Sequence, residues 1–320
     1  MADYARATLP RRAYNPPMTG NEPYAHAPVD RPEMRELRRL CDRPGSWHLA
    51  LHLAALLAAG CLVALAPDIF WRIPAQALEG AIFIFLFSPL HETIHRTAFR
   101  NRRFNGWAAA VIGFLLILPA DYFRFFHFCH HRYTQDPLRD PELATPKPSS
   151  LGQWLLVVTG LPVWRAHVMG VLRHAAGKID EPYLTPVPAR RVIREARIHL
   201  GLYALVAAVS LALRSTTILQ FWVVPALLGQ PWLRLYLLAE HTACPLVPDM
   251  LANSRTTLTN GIVRFFAWNM PYHAEHHAFP AVPFHALPRL HQRLAPALKV
   301  VAPGYIAAQR SILKGLKRQA

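Results

Sequence analysis

The apolar positions of this chain fall into long runs, not into the short alternations of a soluble sheet protein. Residues 47–66 form a run of 20, about 30 Å as a helix and enough to cross a bilayer core. Pro67 and Asp68 close it. Further runs cover 73–90, 198–213 and 218–239, the last interrupted by Pro225 and Pro231, which bend helices. Two other stretches behave differently. Residues 107–119 are apolar for only 13 positions, which suits an in-plane or re-entrant segment. Residues 151–172 are broken by Gly160, Pro162, Arg165 and His167, so an interfacial helix is expected. The pattern predicts an all-α integral membrane protein with four transmembrane helices, in-plane interfacial helices, and a helical cap built from 91–197 and 240–320. Residues 1–46 are rich in Pro and Arg and have no apolar h-region. They are expected to be a tail, not a signal peptide, with a short interfacial helix over 31–40. Residues 47–320 are expected to form one domain, and no internal repeat is evident.

Charge gives the runs an orientation. The 320 residues hold 35 Lys+Arg against 19 Asp+Glu, a net +16, while 52% are hydrophobic and 17% charged. A basic excess can serve nucleic acid, but here it alternates with the apolar runs. Four basic residues lie in 96–103, seven in 165–197 and seven in 289–318. The two inferred outer loops hold only Arg72 and Arg214. That asymmetry is the positive-inside pattern. It predicts a multi-pass protein with both termini and the cap in the cytoplasm, in a bacterial inner membrane, and it excludes nucleic acid as a partner. Glu79, an isolated charge in the second run, is expected to reach the interface. Cys41, Cys61, Cys129 and Cys244 form no C-x-x-C pair, which suits a reducing compartment without structural disulfides.

The candidate chemistry lies in the histidines. Of 17, eight sit in three clusters: His91 and His95 in H-E-T-I-H, His127, His130 and His131 in H-F-C-H-H, and His273, His276 and His277 in H-A-E-H-H. On a helix, positions three and four apart share a face, so each cluster can present its imidazoles together. All three clusters, and His241, fall on the cytoplasmic side of the predicted topology. Imidazole suits Zn, Cu, Fe and Ni alike. The number is more telling, because one zinc needs about four ligands and eight or nine suggest two metals. Cys129 is read as a packing residue within its cluster.

These clusters, with H-R-Y-T-Q-D-P after His130 and Tyr272 before His273, resemble the histidine boxes of the membrane fatty-acid desaturase and hydroxylase superfamily, most closely its acyl-lipid desaturase-like branch. The resemblance covers roughly residues 78–290. It implies a di-iron centre that uses dioxygen and two electrons on an unactivated alkyl carbon, with His91, His95, His127, His130, His131, His273, His276 and His277 as iron ligands. His241 takes the place of the further isolated histidine of some members. Two departures matter. Leu237 stands where acyl-CoA desaturases of the family carry an asparagine, which leans the reading towards acyl-lipid and hydroxylase branches. No His-Pro-Gly-Gly haem motif and no ferredoxin cysteine set occurs, so a separate electron-transfer protein, of ferredoxin or cytochrome b5 type, is expected as partner.

Metal-bound imidazole usually gives its other N–H to a carboxylate or carbonyl. Glu92, Asp136, Asp140, Glu240 and Glu275 are the candidates by proximity in sequence. His26, His48, His52, His167, His174, His199, His285 and His291 are read as interfacial or packing residues, and Trp222, Trp232, Trp268 and Tyr272 as interface anchors. The expected activity is insertion of a double bond into a lipid acyl chain or similar alkyl substrate. The alternative is a hydroxylase or ketolase of a lipid or carotenoid on the same centre. His91-Glu92-x-x-His95 is also the pattern of zinc proteases. That reading leaves two clusters idle and needs a third ligand, usually an aspartate, that neither late span contains. A metal carrier or sensor would favour loose His-rich tracts.

Overall fold

A computed structural model of the chain describes residues 29–317. His26 and most of the expected tail lie outside these residues. A short helix α1 (Arg31–Leu37) is capped by Asp30, whose side chain accepts the Glu33 amide at 2.8 Å, and has Pro in its first turn. It falls where a short helix was expected, over 31–40. Met34 and Leu37 are buried, and Glu33 and Glu36 pair with Arg293 and Arg289.

Two long helices follow. The first, α2 (Asp42–Leu65), begins earlier than the apolar run. Asp68 caps the next, α3 (Ile69–Ile84), and after a short break α4 (Phe87–His95) continues it, so that one helical path runs from Ile69 to His95. Arg96, in the left-handed region at φ 64°, closes α4. Then come α5 (Arg102–Leu115) and α6 (Ala120–Tyr133), bent by 101° to one another. The bend is made by Ile117 at φ 52° with Leu118 and Pro119, and Leu118 N–H returns to Gly113 O at 2.8 Å. The first four amides of a helix need outside acceptors. For α6 a carboxylate serves two of them: Glu195 accepts from Ala120 N (3.0 Å) and Asp121 N (2.7 Å). The stretch expected as one interfacial helix is two, α7 (Leu151–Val158) and α8 (Leu161–Ala175), bent by 57° at Gly160. Glu195 belongs to α9 (Pro186–Ala212).

A π-helical turn, Leu219–Val223, leads into α10 (Val224–His241). It lies along α3 at a close crossing: a Cβ at Gly229 would stand 2.0 Å from Gly80 O, and one at Gly80 2.1 Å from Pro225 O. Small residues permit such approach between membrane helices. Three helices among the described residues, Arg31–Leu65, Ile69–His95 and Pro186–Ala212, are long and apolar enough to cross a membrane, and the two bent pairs would make five. The expected fourth span is helical but is not among the three, because Gln230, Arg234 and Glu240 make α10 more polar than a plain span. The outer faces of α2 and α9 expose Leu51, Leu57, Leu205 and Leu211, a surface suited to lipid.

The remainder folds over the ends of α4 and α6 as short elements: α11 (Met250–Asn253), α12 (Gly261–Phe266), α13 (His273–Ala278), α14 (Leu287–Leu294) and α15 (Tyr305–Lys317). Strands β1 (Thr256–Thr257) and β2 (Val301–Ala302) pair in parallel. The core beneath joins Leu86, Leu90 and Phe99 to Trp268, Phe279, Phe284, Leu287 and Leu290. Trp268 is therefore a core residue at 0% exposure, not an interface anchor, and Tyr272 is also buried. Helix α14 is amphipathic, but its Leu287, Leu290 and Leu294 face this core. Glu79 does not reach the interface either: it is 4% exposed, with Oε1 against Gly60 of α2 and Oε2 without a hydrogen-bond partner.

Candidate metal centre

Four helices bring nine histidines together. His91 and His95 lie one turn apart on α4, and His127, His130 and His131 project from the last turns of α6. His241 ends α10, while His273, His276 and His277 make up half of α13. Their nitrogens form two groups. His91, His95, His127, His131 and His276 offer donor atoms within 4.8 Å of one another, as do His130, His241 and His277. His273 joins the second group, its Nε2 standing 2.8 Å from Nε2 of His241. The His131 and His277 rings stack with centroids 4.1 Å apart and link the two groups.

The spacing fits shared metal ions. Donors held at about 2.0–2.2 Å from one ion stand roughly 2.8–3.6 Å from each other in octahedral or tetrahedral geometry. Nε2 of His131 is 2.9 Å from that of His127 and 3.1 Å from that of His276. Nε2 of His130 is 3.2 Å from that of His241. Buried ring nitrogens at His95 (Nε2), His277 (Nε2) and His91 (Nδ1) have no hydrogen-bond partner in the protein. Buried polar atoms are rarely left so. Burial, reinforced by the neighbouring imidazoles, holds His273, His276 and His277 well below the ordinary histidine value. They are neutral at pH 7, the form that binds metal.

The outer partners differ in part from those expected. Asp140 Oδ1 is 2.9 Å from His130 Nδ1, and its carboxylate also accepts the Gln135 and Glu142 amides. Glu240 Oε1 lies 3.4 Å from His273 Nδ1. Among the described residues, Glu92, Asp136 and Glu275 make no hydrogen bond or ion pair with a cluster histidine. Glu92 Oε2 accepts from Thr97 Oγ1 at 2.7 Å and from the Phe284 amide. That geometry also removes it from the place a zinc-protease base would need. Asp136 caps its own turn and pairs with exposed Arg139. Glu275 is fully buried between Thr256 and His291, which gives His291 a defined partner. Cys129 packs with Sγ 3.8 Å from Arg139 O, outside both groups.

Several contacts lie beyond the sequence reading. His241 Nδ1 is 3.2 Å from Asn253 O, and His277 Nδ1 is 3.1 Å from Thr134 Oγ1, which donates to His130 O at 2.7 Å. Glu142 Oε2 lies 3.4 Å from His130 Nε2, while Oε1 pairs with Lys147. Burial pushes the Glu142 carboxyl up, but Lys147, His130 and His241 outweigh it and hold the group well below the carboxylate range. Thr134 and Glu142 follow the second cluster closely enough for proximity to have suggested them. Asn253, twelve residues past His241, carried no such signal.

A cavity of about 900 Å3 opens onto His91, His127, His130 and His273, with apolar walls that include Ile84, Phe87, Leu118, Phe123 and Leu233. Residues 73–308, most of the chain, match the family model described as fatty acid desaturase. The chain belongs to the fatty acid desaturase family. Among curated relatives, the chain is 22% identical to the sn-1 oleoyl-lipid 12-desaturase of Arthrospira platensis over 87% of its own length and 82% of that one. It is 26% identical to the sphingolipid delta(4)-desaturase/C4-monooxygenase DES2 of Rattus norvegicus over 74% of this chain and 66% of the relative. The Mus musculus DES2 is 27% identical over 71% of this chain and 66% of its own. The chain is thus an oxidoreductase of the fatty acid desaturase type with helices apolar enough to cross a membrane.

Proposed function

We propose that this desaturase is a dioxygen-dependent di-iron enzyme that introduces a double bond into a lipid acyl chain. The observation that carries the reading is the convergence of nine imidazoles, in two linked groups, on one largely apolar cavity. Two irons held by His91, His95, His127, His131 and His276 on one side, and by His130, His241, His273 and His277 on the other, would supply with dioxygen the oxidising power to remove hydrogen from an unactivated carbon.

The chain's own part is positional. Ile84, Phe87, Leu118, Phe123 and Leu233 receive the alkyl segment and exclude water from it. Asp140 fixes His130 by its Nδ1, and the Asn253 carbonyl does the same for His241, so that each ring turns Nε2 inward. Thr134 holds Nδ1 of His277, leaving its Nε2 free for metal. Such outer contacts set tautomer and ring orientation. His95 and His131, half-buried where the other cluster histidines are buried, form the side nearest solvent. The basic segments support a cytoplasmic location for this side, where an external ferredoxin- or cytochrome b5-type protein would deliver electrons.

The two rodent relatives carry desaturase and monooxygenase in one name. Hydroxylation on the same centre is therefore the second reading. The test is metal content of detergent-purified protein grown in iron-replete medium, followed by lipid profiling of cells with wild type or His130→Ala. About two irons per chain and new unsaturated chains with wild type alone are expected. One zinc, no iron and no activity after iron reconstitution would overturn the proposal, whereas hydroxylated lipids would favour the second reading.

A further inference from the structure

The second group of histidines is one donor poorer than the first, four imidazoles against five, once His273 is counted with it. We infer that the Glu142 carboxylate makes up the difference, with Oε2 as a ligand of the metal held by His130, His241, His273 and His277. This rests on the two-metal reading above.

The geometry selects Glu142 among the nearby acids. His130 has its Nδ1 engaged by Asp140, so Nε2 is the nitrogen that faces a metal. Glu142 Oε2 lies 3.4 Å from that Nε2, within the separation of two donors on one ion. Asp140 is spent on His130 Nδ1 and two backbone amides. Glu240 approaches Nδ1 of His273, the nitrogen on the far side of a ring whose Nε2 meets His241. Lys147 occupies only Oε1 of Glu142, which leaves Oε2 to bind through one oxygen. Its side chain is 34% exposed and lines the cavity onto which the histidines open.

Charge and donor type point the same way. Nine neutral imidazoles leave two cations uncompensated in a buried site, an arrangement that low dielectric makes costly. One carboxylate ligand reduces that charge where it is largest. A mixed histidine and carboxylate set is also what non-haem iron centres with open positions use, whereas imidazole alone does not choose among metals. Binding through Oε2 is ligation alone, and no electron moves.

The test loads full-length wild type, E142Q and K147Q in detergent with ferrous iron-57 and follows iron loss to a chelator together with the Mössbauer spectrum. If wild type fails to hold two irons, the two-metal reading itself falls. If it holds two, E142Q is expected to release one of them roughly ten-fold faster or more and to change one iron signal while the other persists. K147Q keeps the carboxylate and removes its competitor, so it is expected to hold both irons at least as tightly as wild type. Wild-type release and spectra in E142Q would overturn the assignment. So would a K147Q protein that loses the same iron as E142Q, because the ion pair and not ligation would then be the role of Glu142. Should E142Q fail to fold, K147Q and the inequivalence of the two wild-type signals decide the matter.

Discussion

Asp140 Oδ1 lies 2.9 Å from Nδ1 of His130, and both side chains are almost fully buried, at 1% and 4% exposure. The carboxylate is itself held by the Gln135 and Glu142 amides, so the imidazole has one tautomer and one orientation. Its Nε2 is thereby presented to His241 and the second metal group.

Asp140→Ala should therefore weaken that group selectively. The expected loss of metal affinity is about 10- to 100-fold, read as faster release of one of two metals to a chelator. Asp140→Asn retains an acceptor for the ring N–H and should lose less. Equal release from D140A and wild type would mean that His130 is oriented by something else.

His130→Ala and His276→Ala each remove a donor from a different group. Both are expected to abolish desaturation, by roughly 100-fold or more, with membrane insertion unchanged because neither residue lies in an apolar run. Lipid profiles together with membrane fractionation check this. Normal turnover in either variant would exclude that cluster from the centre.

The nine histidines were legible because helical spacing alone puts clustered imidazoles on one face, and helix ends at one membrane side can meet. The long apolar helices α2 and α9 were legible for a similar reason, since a run of the required length has few other uses. What escaped was set by packing between distant segments. Trp268 looks like an interface anchor in sequence, yet it packs against Phe284 and His48 in the cap core. Glu275 sits between two box histidines, but α13 turns its side chain away from them to Thr256 and His291. Glu142 follows the second cluster closely in sequence, but the contact of its Oε2 with His130 is made by the fold of residues 134–147. The close crossing of α3 and α10 depends on a glycine from each helix, 149 positions apart (229 − 80), a pairing no local pattern reveals.

Metal removal should expose a pH dependence of stability. Burial and neighbouring imidazoles hold His273, His276 and His277 well below the ordinary value of 6.5. In the unfolded chain they take protons as pH falls through about 6.5, while in the folded chain they do not. The unfolded state then binds more protons, so stability present above pH about 6.5 is lost progressively below it. Chelator-stripped protein should melt at lower temperature at pH 5.5 than at pH 7.5. The metal-loaded protein should hold its melting temperature to lower pH, because metal competes with protons for the same nitrogens. Identical, flat profiles for the two forms would show that these rings are not buried together as described.

Gly229→Leu tests the crossing that carries His241 towards the other clusters. A Cβ at this position would meet Gly80 O at 2.0 Å and Gly80 C at 2.4 Å, both backbone atoms of α3. Backbone cannot swing aside as a side chain can, so α10 must move away from α3 or the helices must bend. Overpacking of this kind costs about 1–3 kcal/mol, and here the displacement also moves His241, which ends α10 twelve residues on (241 − 229). Gly229→Leu should lower the melting temperature in detergent and loosen one metal more than the other. Gly201→Leu, on α9 where a Cβ meets nothing within 4 Å, should leave both unchanged. If the two variants behave alike, the glycine pair does not set the spacing of α3 and α10, and the placement of His241 must depend on its contacts to Asn253 and Gln135.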